Sequence, residues 1–111
     1  MVSPDSIRYV GIAKCSELRP GEIKEVEVEG KQVLLLNVNG EFYAVSNVCP
    51  HAEAYLSEGW IDGPIVECPL HGSQFDVRTG EVLSPPAEDP LPRYPLRIGG
   101  DDIMVSVDQL L

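Results

Sequence analysis

The sequence predicts an all-β protein: an antiparallel β-sandwich or small barrel with an inserted, loop-rich segment at about 47–80. Three observations carry that expectation. Short apolar or alternating runs recur along the chain and are separated by turn pairs such as Pro20-Gly21 and Asn39-Gly40. No stretch shows helical spacing of useful length with caps. Residues 47–64 lack a strand period and hold Pro50, Gly59, Gly63 and Pro64. With 111 residues, 43% of them hydrophobic, the chain can bury a core of its own. A single domain over 1–111 is expected, with a base from 1–46 and 81–111 and an inserted subdomain at about 47–80.

The elements follow in order. Residues 7–10 form a short apolar run. Residues 22–29 alternate polar and apolar toward their end, as a half-buried strand does. Gly30-Lys31 is expected to turn the chain into 32–38, rich in Val and Leu. Asn39-Gly40 suits a type I′ hairpin turn, which needs φ > 0 at both central positions. Residues 41–46, with Phe42 and Tyr43, return as the partner strand. Residues 65–67 and 75–79 read as short strands, the second closed by Gly80. Ser84-Pro85-Pro86-Ala87 reads as a loop, because consecutive prolines donate nothing to a ladder. Residues 93–98 and 103–107 form a last hairpin. The most helical stretch, 52–56, is long enough for one turn.

Charge narrows the partner classes. The formal net charge is −10, from 8 Lys and Arg against 18 Asp and Glu. A polyanion would be repelled, so no nucleic acid is expected as a partner. The longest aliphatic run is Val33-Leu34-Leu35-Leu36, far short of the roughly 20 residues that span a bilayer. The first nine residues lack the apolar core of a signal peptide. No membrane association and a cytoplasmic location are the resulting expectations. Three cysteines make a poor disulfide framework. Positions 32–77 contain no Lys or Arg, against Glu41, Glu53, Glu58, Asp62, Glu67 and Asp76. A solvated acidic face is the ordinary reading, but so long a stretch without a cation also suits docking.

That acidic stretch holds both histidines of the chain, each paired with a cysteine. Cys49-Pro50-His51 is one pair and Cys68-Pro69-Leu70-His71 is the other. Two thiolates and two imidazoles suit zinc or iron–sulfur chemistry. Zinc fingers generally place two cysteines in one element and two histidines in another. Here each half is mixed, which suits a binuclear centre in which each loop gives one ligand to each metal. The arrangement with two cysteines on one iron and two histidines on the other is the Rieske type.

The two boxes, Cys49-Pro50-His51 and Cys68-Pro69-Leu70-His71-Gly72-Ser73, resemble those of the Rieske 2Fe–2S family. Leu56-Ser57-Glu58-Gly59 between them fits as well. Gln74-Phe75-Asp76-Val77-Arg78-Thr79-Gly80 looks like the strand and turn that follow the second box in small bacterial Rieske ferredoxins. The resemblance implies one 2Fe–2S cluster, with Cys49 and Cys68 on the inner iron and His51 and His71 on the outer. It also implies that Pro85 and Pro86 belong to a third loop shielding the cluster. Respiratory Rieske proteins carry an extra cysteine in each box, joined as a disulfide; Ala54 and Leu70 stand at those positions. They also carry a tyrosine that donates to a ligand sulfur, and Phe75 stands there. Ser73 is kept and could donate to a bridging sulfide. Loss of one donor to sulfur disfavours the reduced state, so the potential is expected toward the low end of about −150 to +300 mV.

By the same resemblance the chain is a soluble one-electron carrier, not an enzyme. It would take electrons from an NAD(P)H-dependent flavoprotein reductase and pass them to a terminal Rieske oxygenase in aromatic hydrocarbon catabolism. A chain of this length leaves no room for the mononuclear-iron domain of such oxygenases. Two other readings stay open on the residues alone. One is a small redox subunit of a nitrite-reductase-like oxidoreductase; the other is a structural zinc-binding interaction module. Cys15 reads as a buried or half-buried thiol, and Trp60 as packing beneath the cluster loops. Pro50, Ala52, Leu70, Pro85 and Pro86 are candidates for an apolar rim around the histidines.

Overall fold

The computed structural model describes residues 7–50, 53–70, 72–85 and 87–111. Eleven strands occur among them: β1 (Val10–Lys14), β2 (Ile23–Val28), β3 (Lys31–Val38), β4 (Glu41–Ser46), β5 (Trp60–Asp62), β6 (Ile65–Glu67), β7 (Gln74–Asp76), β8 (Val82–Ser84), β9 (Arg93–Tyr94), β10 (Leu96–Gly99) and β11 (Asp102–Val105). They form three antiparallel sheets, ordered β1-β11-β10, β2-β3-β4-β9 and β5-β6-β7-β8. The helical content is two single 3-10 turns, Cys15–Glu17 and Leu56–Glu58. The all-β, sandwich-like expectation is correct.

The sequence of β3 explains how the layers stack. Successive side chains of a strand point to opposite faces. Val33 and Leu35 face the first sheet and join Ile103 and Val105 in the base core. Leu34, Leu36 and Val38 face the other way and join Val66, Phe75, Cys49 and Cys68. Both faces of β3 are covered, so Val33-Leu34-Leu35-Leu36 is continuous rather than alternating. By contrast β2 is covered on one face and alternates.

Turn chemistry sets the register of β2-β3-β4. Asn39 (φ 53°) and Gly40 (φ 94°) form the expected turn, and Gly40 N–H donates to Asn37 Oδ1 at 2.7 Å. Between β2 and β3 the turn residues are Glu29 and Gly30, at φ 50° and 83°. Lys31 pairs with Val28, so that turn lies one residue earlier than the expected Gly30-Lys31.

Other boundaries differ for local reasons. The first strand is Val10–Lys14 rather than 7–10, held by pairing with β11. The run 93–98 is broken at Pro95 into β9 and β10, which join different sheets. The strand expected at 75–79 starts at Gln74 and ends at Asp76, where Val77-Arg78-Thr79 turns. The last strand is Asp102–Val105 rather than 103–107. Strands β5 and β8 were not expected. Each is three residues long, below the length at which alternation is readable.

Candidate metal centre

The two cysteines of the boxes meet in the core between β3 and the small sheet β5-β6-β7-β8. Cys49 is 3% exposed and Cys68 1%. Their thiols lie within hydrogen-bonding reach of one another. Cys15 is half-buried elsewhere and all three cysteines are unbridged. His51 and His71 fall outside the described residues, as do Ala52 and Pro86. Among the described residues no group of three or more His, Cys, Asp or Glu gathers.

Each box is held by a separate hydrogen-bonded loop. The first leaves β4 at Ser46 and is latched by Asn47, which is 1% exposed. Asn47 Oδ1 accepts from Ser57 N–H at 2.9 Å, and Asn47 Nδ2 donates to Ser57 Oγ at 3.1 Å. The Asn47 carbonyl accepts from Leu56 N–H at 2.7 Å, and Cys49 N–H donates to the Ala54 carbonyl at 2.9 Å. The latch therefore closes the loop over 47–57 and presents Cys49 inward. Sequence reading missed Asn47; the one signal for it is a polar residue where an apolar strand ends.

The second box lies in the β6–β7 connection. Cys68 N–H donates to the Ser73 carbonyl at 2.8 Å, closing a tight loop in which Gly72 takes φ 74°. A third segment is strapped on by two serines. Gln74 N–H donates to Ser84 Oγ at 3.1 Å, and Ala87 N–H donates to Ser73 Oγ at 2.9 Å. Ser84, the first residue of the expected loop, is instead the last residue of β8. Ser73 is fully buried, and its own O–H finds no acceptor among the described residues.

Gly59 fixes β5 against this loop. A Cβ there would lie 1.9 Å from the Glu67 carbonyl oxygen and 3.1 Å from Pro69 Cδ, so only glycine fits. Trp60 follows, opposite Glu67. It is 51% exposed and does not pack beneath the cluster loops. The neighbouring pair Ile61 and Val66 faces inward instead, which turns Trp60 out.

Burial, with the hydrogen bond to Cys49 second, pushes the Cys68 thiol up to about 11. The Leu70 backbone N–H at the sulfur works in the opposite direction. The Cys68 thiol thus holds its proton unless a positive centre draws it off, as a bound metal does. An amide donor at the sulfur and a buried hydroxyl with a spare proton suit an anionic sulfur centre. These residues fit an iron–sulfur cluster. Phe75 is fully buried and offers the cysteines only carbon. Leu70 is 45% exposed at the tip of the second box.

Comparison with known proteins agrees with this geometry. Residues 8–95 match the Rieske [2Fe-2S] domain. The chain is 49% identical over 91 residues to a biphenyl dioxygenase ferredoxin subunit of Pseudomonas sp. strain KKS102, covering 81% of this chain and 84% of that one. It superposes on the ferredoxin of carbazole 1,9a-dioxygenase from Nocardioides aromaticivorans IC177 with a TM-score of 0.83 and 37% identity, covering 88% and 96% of the two chains. It also matches a chain from the complex of reduced oxygenase and oxidized ferredoxin in carbazole 1,9a-dioxygenase, with a TM-score of 0.87 and 32% identity over 96% and 99%. The chain belongs to the Rieske [2Fe-2S] domain family, and its relatives at this level of similarity are ferredoxin components of aromatic-ring dioxygenase systems.

Proposed function

We propose that this chain is a one-electron carrier that takes electrons from an NAD(P)H-dependent flavoprotein reductase and delivers them to a terminal Rieske oxygenase. One observation supports it above the others: two buried thiols from separate boxes are brought together within a fold shared with dioxygenase ferredoxins. A 2Fe–2S cluster supplies a one-electron couple when bound. In this reading Cys49, His51, Cys68 and His71 hold it, with the sulfur ligands on the core side. The division into a base (1–46 and 81–111) and a cluster-binding subdomain (about 47–80) is part of the same proposal.

The chain's own residues do three things. The Asn47 latch and the tight 68–73 loop fix the spacing of the two sulfurs. Leu34, Leu36, Phe75 and Leu56 exclude water behind them. Exposed Leu70 and Pro85 and half-buried Pro50 lie on the box and strap segments, where a partner's apolar surface can dock without large desolvation of charge. The oxygenase partner is supported by the solved complex of reduced oxygenase and oxidized ferredoxin in carbazole 1,9a-dioxygenase, one chain of which is 32% identical to this one. A cytoplasmic location suits a carrier served by a soluble reductase, and no described helix is long and apolar enough to cross a membrane.

Reconstitution tests the reading. NADH, a flavoprotein ferredoxin reductase and a biphenyl dioxygenase oxygenase should turn over only when this chain is added. Cys68→Ser and His71→Ala should each abolish the visible absorption of the cluster and the turnover together. A normal spectrum in either variant overturns the ligand assignment. A normal cluster that no reductase reduces overturns the carrier role.

A further inference from the structure

The outward face of the small sheet exposes Trp60 and Asp62 on β5 and half-buries Glu67 and Gln74 on the strands beside it. We propose that its β5 end is a docking surface for a basic redox-partner protein, on which Trp60 stacks against a partner arginine or lysine. The inference rests on the carrier reading and adds to it a site on the flank of the molecule, distinct from the tips of the two boxes.

The register places the groups. Trp60 pairs with Glu67, and Glu67 with Gln74, so the three side chains share the outward face. Gln74 Nε2 donates to Glu67 Oε1 at 2.9 Å, which fixes the carboxylate of Trp60's strand partner from the β7 side. Glu58 and Asp62, both exposed, flank Trp60 in sequence. Within residues 32–77 every charged side chain is acidic; Arg78, just beyond, is paired with Asp76 at the other end of β7.

Trp60 is 51% exposed and offers a partner a large aromatic surface. Among Trp, Tyr and Phe, indole is the best acceptor of a cation over its face. An aromatic side chain flanked by Glu58 and Asp62 in sequence and by Glu67 in register is complementary to a guanidinium or ammonium, and it repels an acidic partner. Gly59 ties the patch to the metal centre. It locks β5 against the Glu67 carbonyl and Pro69, two residues that bracket Cys68. A partner seated on Trp60 thus lies beside the second box.

The experiment uses the intact, cluster-loaded protein and a tetra-arginine peptide, with tetra-aspartate as control, by calorimetry at low salt. Trp60→Leu should weaken tetra-arginine binding about two- to fivefold, while Trp60→Phe retains most of it. The double variant Glu58→Gln/Asp62→Asn should weaken it by a similar factor. The equally neutralising pair Glu25→Gln/Glu27→Gln, on exposed positions of β2, should change it less than twofold. Equal weakening by the β2 pair, or no change in Trp60→Leu, overturns the proposal, since binding would then follow net charge alone. The visible spectrum and reduction potential of Trp60→Leu should match wild type. A protein without a reducible cluster defeats the carrier reading; a reducible cluster with binding indifferent to Trp60 defeats the docking site alone.

Discussion

Ser73 shows how much one hydroxyl can be asked to do. Its oxygen accepts from Ala87 N–H while its proton has no acceptor among the described residues. A donor to cluster sulfur stabilises the more negative, reduced state. Taking a hydrogen bond as worth about 1 kcal/mol more in that state, Ser73→Ala should lower the potential by roughly 40 mV. Voltammetry checks it, and an unchanged potential with an intact cluster would mean that the hydroxyl serves Ala87 alone. Asp76 governs a different property. Arg78, through its side chain, holds the Asp76 carboxyl below its ordinary value. A carboxylate with a depressed folded-state pKa stabilises above its unfolded value of about 3.9 and loses that contribution as pH falls through the lower folded value. Asp76→Asn should therefore lower the unfolding midpoint at pH 7 and flatten its fall below pH 4. A thermal unfolding series from pH 7 to pH 2.5 reads both. At this scale the cysteines were legible, because short-range Cys–His pairs are rare and chemically specific. Asn47, Ser84 and the Ser73–Ala87 bond were not, since they depend on which loops meet.

The loop over 47–57 is an element built on one buried amide. Asn47→Ala leaves the Ser57 N–H and hydroxyl without partners, a loss of about 1–3 kcal/mol. Urea unfolding should show that loss, and the variant should release its cluster faster to a chelator. Wild-type cluster retention would show that the latch serves folding only. The same scale explains what the sequence concealed. Asn39-Gly40 declared its hairpin because both positions require positive φ, and the 41–46 strand was placed correctly. Strands β5 and β8 hid in three-residue lengths, one of them led by an outward Trp60. Pro95 divided what reads as one apolar run, since proline cannot donate to a ladder. The Glu29-Gly30 turn was misplaced by one residue because glutamate seldom takes positive φ.

Over the whole molecule, the layers and the charge act together. Continuous Val and Leu in β3 support a sheet on each face, and the sulfur pair lies in the core on one of them. The charge of −10 gives an electrostatic reason for a low potential. A carboxylate about 10 Å from the cluster, at an effective dielectric of about 20, opposes an added electron by ~1.7 kcal/mol before screening. That is up to ~70 mV, in the same direction as the missing tyrosine donor at Phe75. The fold class and the importance of Cys49 and Cys68, which meet in one core, were legible because period and spacing are local properties of the chain. The stacking of the small sheet on β3 was not, since it follows from long-range pairing.

In the proposed site Cys49, His51, Cys68 and His71 together hold one Rieske cluster. Metal and acid-labile sulfide analysis on the purified protein, joined to a redox titration of the same sample, tests it most directly. Two irons and two sulfides per chain are expected, with a reversible one-electron step toward the low end of about −150 to +300 mV. A colourless protein holding zinc, with no sulfide and no reducible centre, would contradict it.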